Sequence, residues 1–389
     1  MKRILIIIAL TIVGVIPSQG QSWSEFIYTI ERNNLDIKRL SEVVEAQKLA
    51  NKSEKMLPDP SVEFGYFWRT PSSIGNKKSF SIRQGFDLSM ITGANSRLVK
   101  AMNVKTESEF RAKRIEILLD IQRVGIELYY TESILKHLSV QLENAELLEQ
   151  SCARRLESGD VSKMVYNAAK SNLLKVKTDY KNVCIERDAL RSRLEVLNGG
   201  TAIDVVKPEF QLPQNFDEWI KQAAEKNPAL ECAMAQVESD KRKLTVNRRL
   251  ALPSLNVGYA REASPAETAN GVVVGVSVPL WSGRNQIKQA KAAVAVSETD
   301  LMQTRLDVEA QLRLLYDKAC SLQQLAVMAE NDIVEANELN LLHKAVEAGE
   351  ISIGDYISLA HVQYDLLKQK ETLWRDYRIV MSELMSVEL

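Results

Sequence analysis

Two proline-free stretches, Ala94 to Glu157 and Arg284 to Glu347, constrain this chain more than any other feature. As α-helix, each is about 64 residues and roughly 96 Å long at 1.5 Å per residue. Helices that wrap a globular core run ~8–20 residues. Both stretches end in the same kind of turn, Glu157-Ser158-Gly159-Asp160-Val161-Ser162 and Glu347-Ala348-Gly349-Glu350-Ile351-Ser352. Glycine stands where a helix C-terminus wants a left-handed residue. Asp160 and Glu350 then favour the positive end of the following helix. The sequence therefore predicts two long helical hairpins with matching tips. Apolar residues in both stretches step by sevens, fours and threes: Ile117, Ile121, Val124, Leu128, Leu135, Leu138, Leu142 and Ala145, then Leu301, Val308, Leu312, Leu315, Ala319, Leu322, Ala326, Ala329, Ile333 and Ala336. That period is coiled-coil patterning, and the small residues in the second seam predict close helix approach.

The second half of the chain echoes the first. Glu31-Arg32-Asn33-Asn34 returns as Glu225-Lys226-Asn227-Pro228, Leu57-Pro58 as Leu252-Pro253, and Gly65-Tyr66 as Gly258-Tyr259. The tip glycines lie 190 residues apart. This reads as a duplication, with repeats at 21–200 and 216–389 joined by a linker, 201–215, that carries Pro208 and Pro213. Each repeat opens with a helix, Trp23 to Met56 or Phe216 to Leu250, stopped by a proline. Two strands follow, about 61–69 and 79–88 in the first repeat and 254–260 and 271–280 in the second. Then come the long helix, the tip and a returning helix. A returning helix of ~57 Å cannot match a partner of ~96 Å, but an opening helix of ~50 Å placed end to end with it can. The expectation is stacking across repeats, Val161–Leu197 on Phe216–Leu250 and Ile351–Leu389 on Trp23–Met56, with the linker at mid-height outside the rod.

The strands alternate: Val62, Phe64, Tyr66 and Trp68 against Ser61, Glu63 and Gly65, and Val272, Val274, Val276 and Val278 against Ser277 and glycines. Ten tilted residues is the span of a transmembrane strand, ~9–11. An open sheet edge in lipid leaves backbone groups unsatisfied, and closed barrels begin at ~8 strands. Four strands cannot close, so several chains must each donate four. The alternative is a small soluble cap on a coiled coil.

Lys2 and Arg3, the apolar run Ile4 to Ile16, Pro17, and small Ser18 and Gly20 predict a secretory signal segment, 1–20, cleaved after Gly20, the alternative being an uncleaved anchor. No cysteine follows closely enough for lipidation. Export permits disulfides, yet Cys152, Cys184, Cys232 and Cys320 sit at different heights along the helices; only Cys184 and Cys320 come within ~6 Å in rise. All four are expected free. A formal charge of −1 gives no basic signal for nucleic acid.

The exported start, the duplicated layout, Leu57-Pro58-Asp59-Pro60, Leu252-Pro253-Ser254, Val278-Pro279-Leu280-Trp281-Ser282-Gly283 and the two glycine tips together resemble the TolC-like outer-membrane efflux family. The resemblance implies a mainly α chain with a small β part, assembling as a homotrimer. Its 12-stranded transmembrane barrel, four strands per chain, continues into a periplasmic tunnel of helical hairpins. It implies docking of the tips onto a periplasmic adaptor, a membrane fusion protein, and an inner-membrane pump. Acidic residues just past the second tip ring the closed aperture in such proteins. Asp355, six residues past Gly349, takes that position, and Ser358 stands where the second acid would be. That leaves three carboxylates in a trimer, which would disfavour anions. Tyr356 is a candidate at the same constriction. Gly159, Asp160, Ser162, Gly349, Glu350 and Ser352 are the candidate adaptor contacts. The plainer role of Asp355 is that of a helix-start acid favouring the dipole, and the plainer role of the tip residues is capping.

No catalytic constellation appears: there is no His-Glu-x-x-His, phosphate-cradling glycine loop or Gly-x-Ser-x-Gly. His361 and Asp365 are one helical turn apart, but two ligands without a third make a weak metal site. No cofactor is expected. The reading is a passive export duct in the outer membrane, the alternative a periplasmic coiled-coil scaffold without a pore.

Overall fold

The structure, a computed structural model, describes residues 22–71, 75–279, 283–332, 341–342, 344–346 and 348–389. The predicted signal segment, the Leu280 end of the fourth strand, Trp281, and seam positions Ile333 and Ala336 lie outside the described residues. In the first repeat, α1 (Trp23–Asn33) and α2 (Leu35–Ser53) lead to β1 (Ser61–Phe67) and β2 (Lys77–Phe86). A short α3 (Leu88–Ile91) precedes the long α4 (Ala94–Glu157) and the returning α5 (Lys163–Leu197). The second repeat gives α6 (Phe216–Glu225), α7 (Pro228–Leu250), β3 (Ser254–Ala263), β4 (Thr268–Ser277), α8 (Gly283–Asp332) and α9 (Ile353–Leu384), with a closing 3-10 turn at Met385–Glu388. The linker has no regular secondary structure.

The opening helix of each repeat is broken rather than continuous. Asn34 is extended (φ −61°, ψ 122°), and its side-chain oxygen accepts the Ile37 amide at 3.0 Å, so it starts α2. Asn227 does the same for α7 with the Ala229 amide at 2.9 Å, and Pro228 follows at the first helical position. A capped restart satisfies orphan amides that a bend would otherwise leave bare.

The end-to-end join also differs from the expectation. It forms within each repeat, not across repeats. The Asn34 side-chain amide donates to the Leu197 carbonyl at 2.9 Å, and Asn33 donates to Asn198 at 2.9 Å. In the second repeat Ile220 and Ala223 share a buried cluster with Val380, Met381 and Leu384. Length matching is blind to which of two equal helices fills the space; the asparagine caps decide it. Replacing Asn34 by Ala removes a cap and orphans the Leu197 carbonyl, and should cost about 2–3 kcal/mol. Asn34→Asp, which keeps the cap, should recover part of that in urea denaturation followed by helical circular dichroism.

Two buried apolar clusters meet at mid-height. Phe26 and Ile30 of α1 lie fully buried against Leu118, Ile121 and Ile126 of α4 and Leu194 of α5. Ile203, Val205 and Val206 of the linker pack on this cluster. Phe210 touches both it and the second-repeat cluster around Ile220 and Leu312. The linker thus lies at the waist and stitches the repeats together. The α4 seam buries Ile121, Val124, Leu128, Leu135 and Ala145, and the α8 seam buries Val308, Leu312, Ala319 and Ala326. The two alanines are fully buried, as close approach requires.

The four strands form one antiparallel sheet in the order β1-β2-β3-β4. Strand bounds shift from those predicted because the β3–β4 turn is tight: the Ser264 amide donates to the Glu267 carbonyl at 2.8 Å. Residues expected in that loop therefore pair, Glu262 with Ala269 and Ala263 with Thr268. Register places Val62, Ile82, Tyr259 and Val272 in one cross-strand row. That face also carries Phe64, Leu255, Val257, Val274 and Val276, all solvent-exposed in the isolated chain. The opposite face is polar: Arg83 pairs with Glu63 at 3.2 Å, Lys77 pairs with Glu262, and Asn256 donates to Ser277 at 2.9 Å. No described helix is long and apolar enough to cross a membrane.

Candidate functional site

The described helices line up as a layer with two open edges. Toward the tips the order is α5, α4, α9, α8; toward the sheet it is α2, α4, α7, α8. One edge is therefore α5 and α2, continuing into β1, and the other is α8, joined to β4. Both carry unpartnered apolar side chains. Leu174, Ile185 and Val196 are exposed on α5, eleven residues apart and so on one helix face. Leu35, Val43 and Leu49 are exposed on α2, and Leu306, Leu314 and Leu325 on α8. The outer backbone edges of β1 and β4 have no strand partner within the sheet.

At the far end the two tips are built alike. Gly159 (φ +79°) and Gly349 (φ +77°) adopt the left-handed conformation. The next amide closes each turn: Asp160 donates to the Arg155 carbonyl at 2.8 Å, and Glu350 to the Ala345 carbonyl at 2.9 Å. A Cβ on either glycine would meet no atom within 4 Å, so backbone conformation rather than space requires glycine here. Ser162 and Ser352 then cap the returning helices, accepting the amides of Val165 at 3.4 Å and Asp355 at 3.1 Å. All six predicted tip residues are exposed.

The predicted aperture residues separate. Asp355 is exposed in the first turn of α9; its carboxylate accepts the hydroxyl of Ser352, the residue that caps the helix, at 2.7 Å. The first tip has Val165 at the matching position, so each chain presents one such carboxylate. Ser358 is exposed, its hydroxyl on the Gly354 carbonyl at 3.0 Å. Tyr356 is turned the other way. It is only 5% exposed and packs with Leu148, Cys152, Ala169 and Ile353. In the isolated chain it joins the two hairpins, and burial raises its phenol pKa.

Polar bonds between the hairpins continue above this cluster. Asn144 of α4 donates to the Tyr364 hydroxyl at 3.2 Å, and Tyr130 bonds Thr372 at 3.3 Å. His361 of α9 bonds Asn172 of α5 at 2.9 Å. The histidine that sequence spacing pairs with Asp365 is therefore engaged across hairpins. Burial, then Lys175, lower its pKa and so favour the neutral imidazole. Sequence could not expose this bond, since Asn172 and His361 share no local motif. Among the described residues no group of three or more His, Cys, Asp and Glu side chains could hold a metal ion. All four cysteines are free.

No protein-family model and no curated protein sequence matches the chain. Solved structures do. The outer membrane channel CmeC of Campylobacter jejuni superposes with TM-score 0.77 at 14% identity, covering 94% of this chain and 84% of that one. The outer membrane protein VceC of Vibrio cholerae gives 0.75 at 12% identity, over 94% and 95%. The open state of the MtrE outer membrane channel of Neisseria gonorrhoeae gives 0.71 at 11%, over 93% and 88%. The described part of the chain has the TolC-like fold, the one its sequence resembles.

Proposed function

We propose that this chain is one protomer of an outer-membrane exit duct. Three copies would close a 12-stranded barrel, and their helices would continue it as a periplasmic tunnel. Residues 1–20 would be a cleaved export signal, and the halves 21–200 and 216–389, joined by 201–215, would be the two repeats. The observation that carries this reading is the sheet: a four-stranded face of exposed apolar side chains, backed by a polar face and open at both edges, at the end of a long rod. Lipid can cover that face only if other copies pair the edges. The edges support this, because α5, α2 and β1 lie on one side and α8 and β4 on the other. A head-to-tail contact of that kind closes into a ring when the rotation between copies divides the full turn. The three solved outer-membrane proteins share the fold and support the assignment to the outer membrane.

The duct would be passive, with substrates delivered by an inner-membrane pump through a periplasmic adaptor seated on the tips. Gly159, Asp160, Ser162, Gly349, Glu350 and Ser352 are the exposed groups there. Asp355 would supply one carboxylate per chain near the narrow end, with Ser358 beside it. No catalytic role is assigned.

Planar-bilayer conductance of the detergent-purified protein, with its mass measured alongside, tests the reading. A trimer giving long-lived discrete channels is expected. A monomer or dimer silent in lipid would favour a periplasmic scaffold instead. Asp355→Ala should raise single-channel conductance ~2-fold or more and weaken block by divalent cations, since a carboxylate ring attracts them. Unchanged conductance and block would remove Asp355 from the aperture while leaving the duct intact.

A further inference from the structure

We propose that Lys78 and Arg261 form a basic collar that seats phosphorylated glycolipid headgroups of the outer leaflet against the outward face of the sheet. The inference rests on the barrel reading above. Register places Lys78 between Tyr66 and Ala263, and Arg261 opposite Phe80. Both cations therefore share the apolar face with Phe64, Phe80 and Ile82, two residues apart across the β2–β3 pair. They stand at its loop end, beside Tyr66 and Trp68, whose rings meet edge-on at 5.3 Å.

The charge pattern distinguishes the two faces. On the polar face the cations Arg83 and Lys77 each meet an acid, Glu63 and Glu262. Along the apolar face, from Val62 through Val276, there is no Asp or Glu. Lys78 and Arg261 are exposed and have no ion-pair partner among the described residues. An unpaired cation on a lipid-facing surface is costly unless its long stem carries the charge to the interface. At the loop end the charge arrives at headgroup level. Arg261 can take a phosphate in a two-pronged hydrogen bond and Lys78 can add a point charge. Phosphate meets that need; a neutral sugar or a zwitterionic headgroup would leave the positive charge largely uncompensated.

Native mass spectrometry of the detergent-purified oligomer tests this, with bisphosphorylated lipid A, dephosphorylated lipid A and phosphatidylglycerol as probes. The wild-type protein should retain bisphosphorylated lipid A at least about tenfold over the dephosphorylated form and severalfold over phosphatidylglycerol. The double variant Lys78→Gln, Arg261→Gln should lose that preference to within about twofold while keeping its oligomeric mass and bilayer conductance. Three results would overturn the proposal: no preference in the wild-type protein, an unchanged preference in the variant, or equal retention of phosphatidylglycerol, which would make the collar a general anion contact. A wild-type protein that neither assembles nor conducts fails at the barrel reading itself, and conductance separates that failure from these three.

Discussion

Val272→Arg should abolish insertion of the assembled protein into lipid. Val272 sits in the central row of the apolar face, with Tyr259 across from it, and is 75% exposed in the isolated chain. In the proposed barrel that row faces hydrocarbon. A guanidinium there costs roughly 2–4 kcal/mol per chain near the bilayer midplane, and a closed ring repeats the cost in every copy. At least ~30-fold less inserted oligomer is expected from the lower bound alone, read as protein recovered with lipid vesicles after flotation. Val273→Arg is the control. Its side chain points to the polar face, across from Gly258, where there is room and water. It should insert normally. Undiminished recovery of Val272→Arg with lipid, equal to that of Val273→Arg, would mean that the Val272 face does not meet hydrocarbon, and the scaffold reading would take over.

The second large effect is expected far from the sheet. Phe26 is completely buried, its ring stacked on Trp23 at 5.2 Å, and it wedges α1 against Leu118 and Ile121. Truncation to Ala removes a buried aromatic and leaves a cavity between elements held apart by their own caps, a loss of about 3–5 kcal/mol. Urea denaturation in detergent, followed by helical circular dichroism, should show a clearly lowered midpoint. Phe67→Ala, at the exposed end of β1, should leave it nearly unchanged. A small effect at Phe26 would mean that the waist is not the joint that holds the rods in register.

These expectations divide by how far along the sequence the responsible physics reaches. Val62, Phe64 and Tyr66 alternate with Ser61, Glu63 and Gly65, so the strand and its two faces are readable from adjacent residues. Gly159 and Gly349 announce their turns because few other residues tolerate a positive φ. The breaks at Asn34 and Asn227 were signalled too, by Asn-Leu-Asp and Asn-Pro after a helical run. As repeat markers the same residues hide their capping role. The end-to-end join was not legible, because helix length fixes which sum fits and not which partner supplies it. The bond from Asn34 to Leu197 settles that across 163 positions. Tyr356 illustrates the same limit at the tip. Its place beside Asp355 suggested a shared role, but adjacent residues on a helix point about 100° apart, and the two side chains meet different surroundings.

The open edges have a consequence for how the protein must be made. A chain with one apolar sheet face and two bare strand margins has no stable way to enter a bilayer alone, since the hydrocarbon that covers the face would strand the margins. In the proposed barrel, insertion would therefore be a collective event whose rate climbs steeply with the number of chains present. A cell producing too few would accumulate lone copies in the watery compartment, exposing Val272, Val274 and Val276 to any other sheet with a free margin. Production in bursts, or a companion that shields the strands until copies meet, would suit such a chain better than slow steady supply.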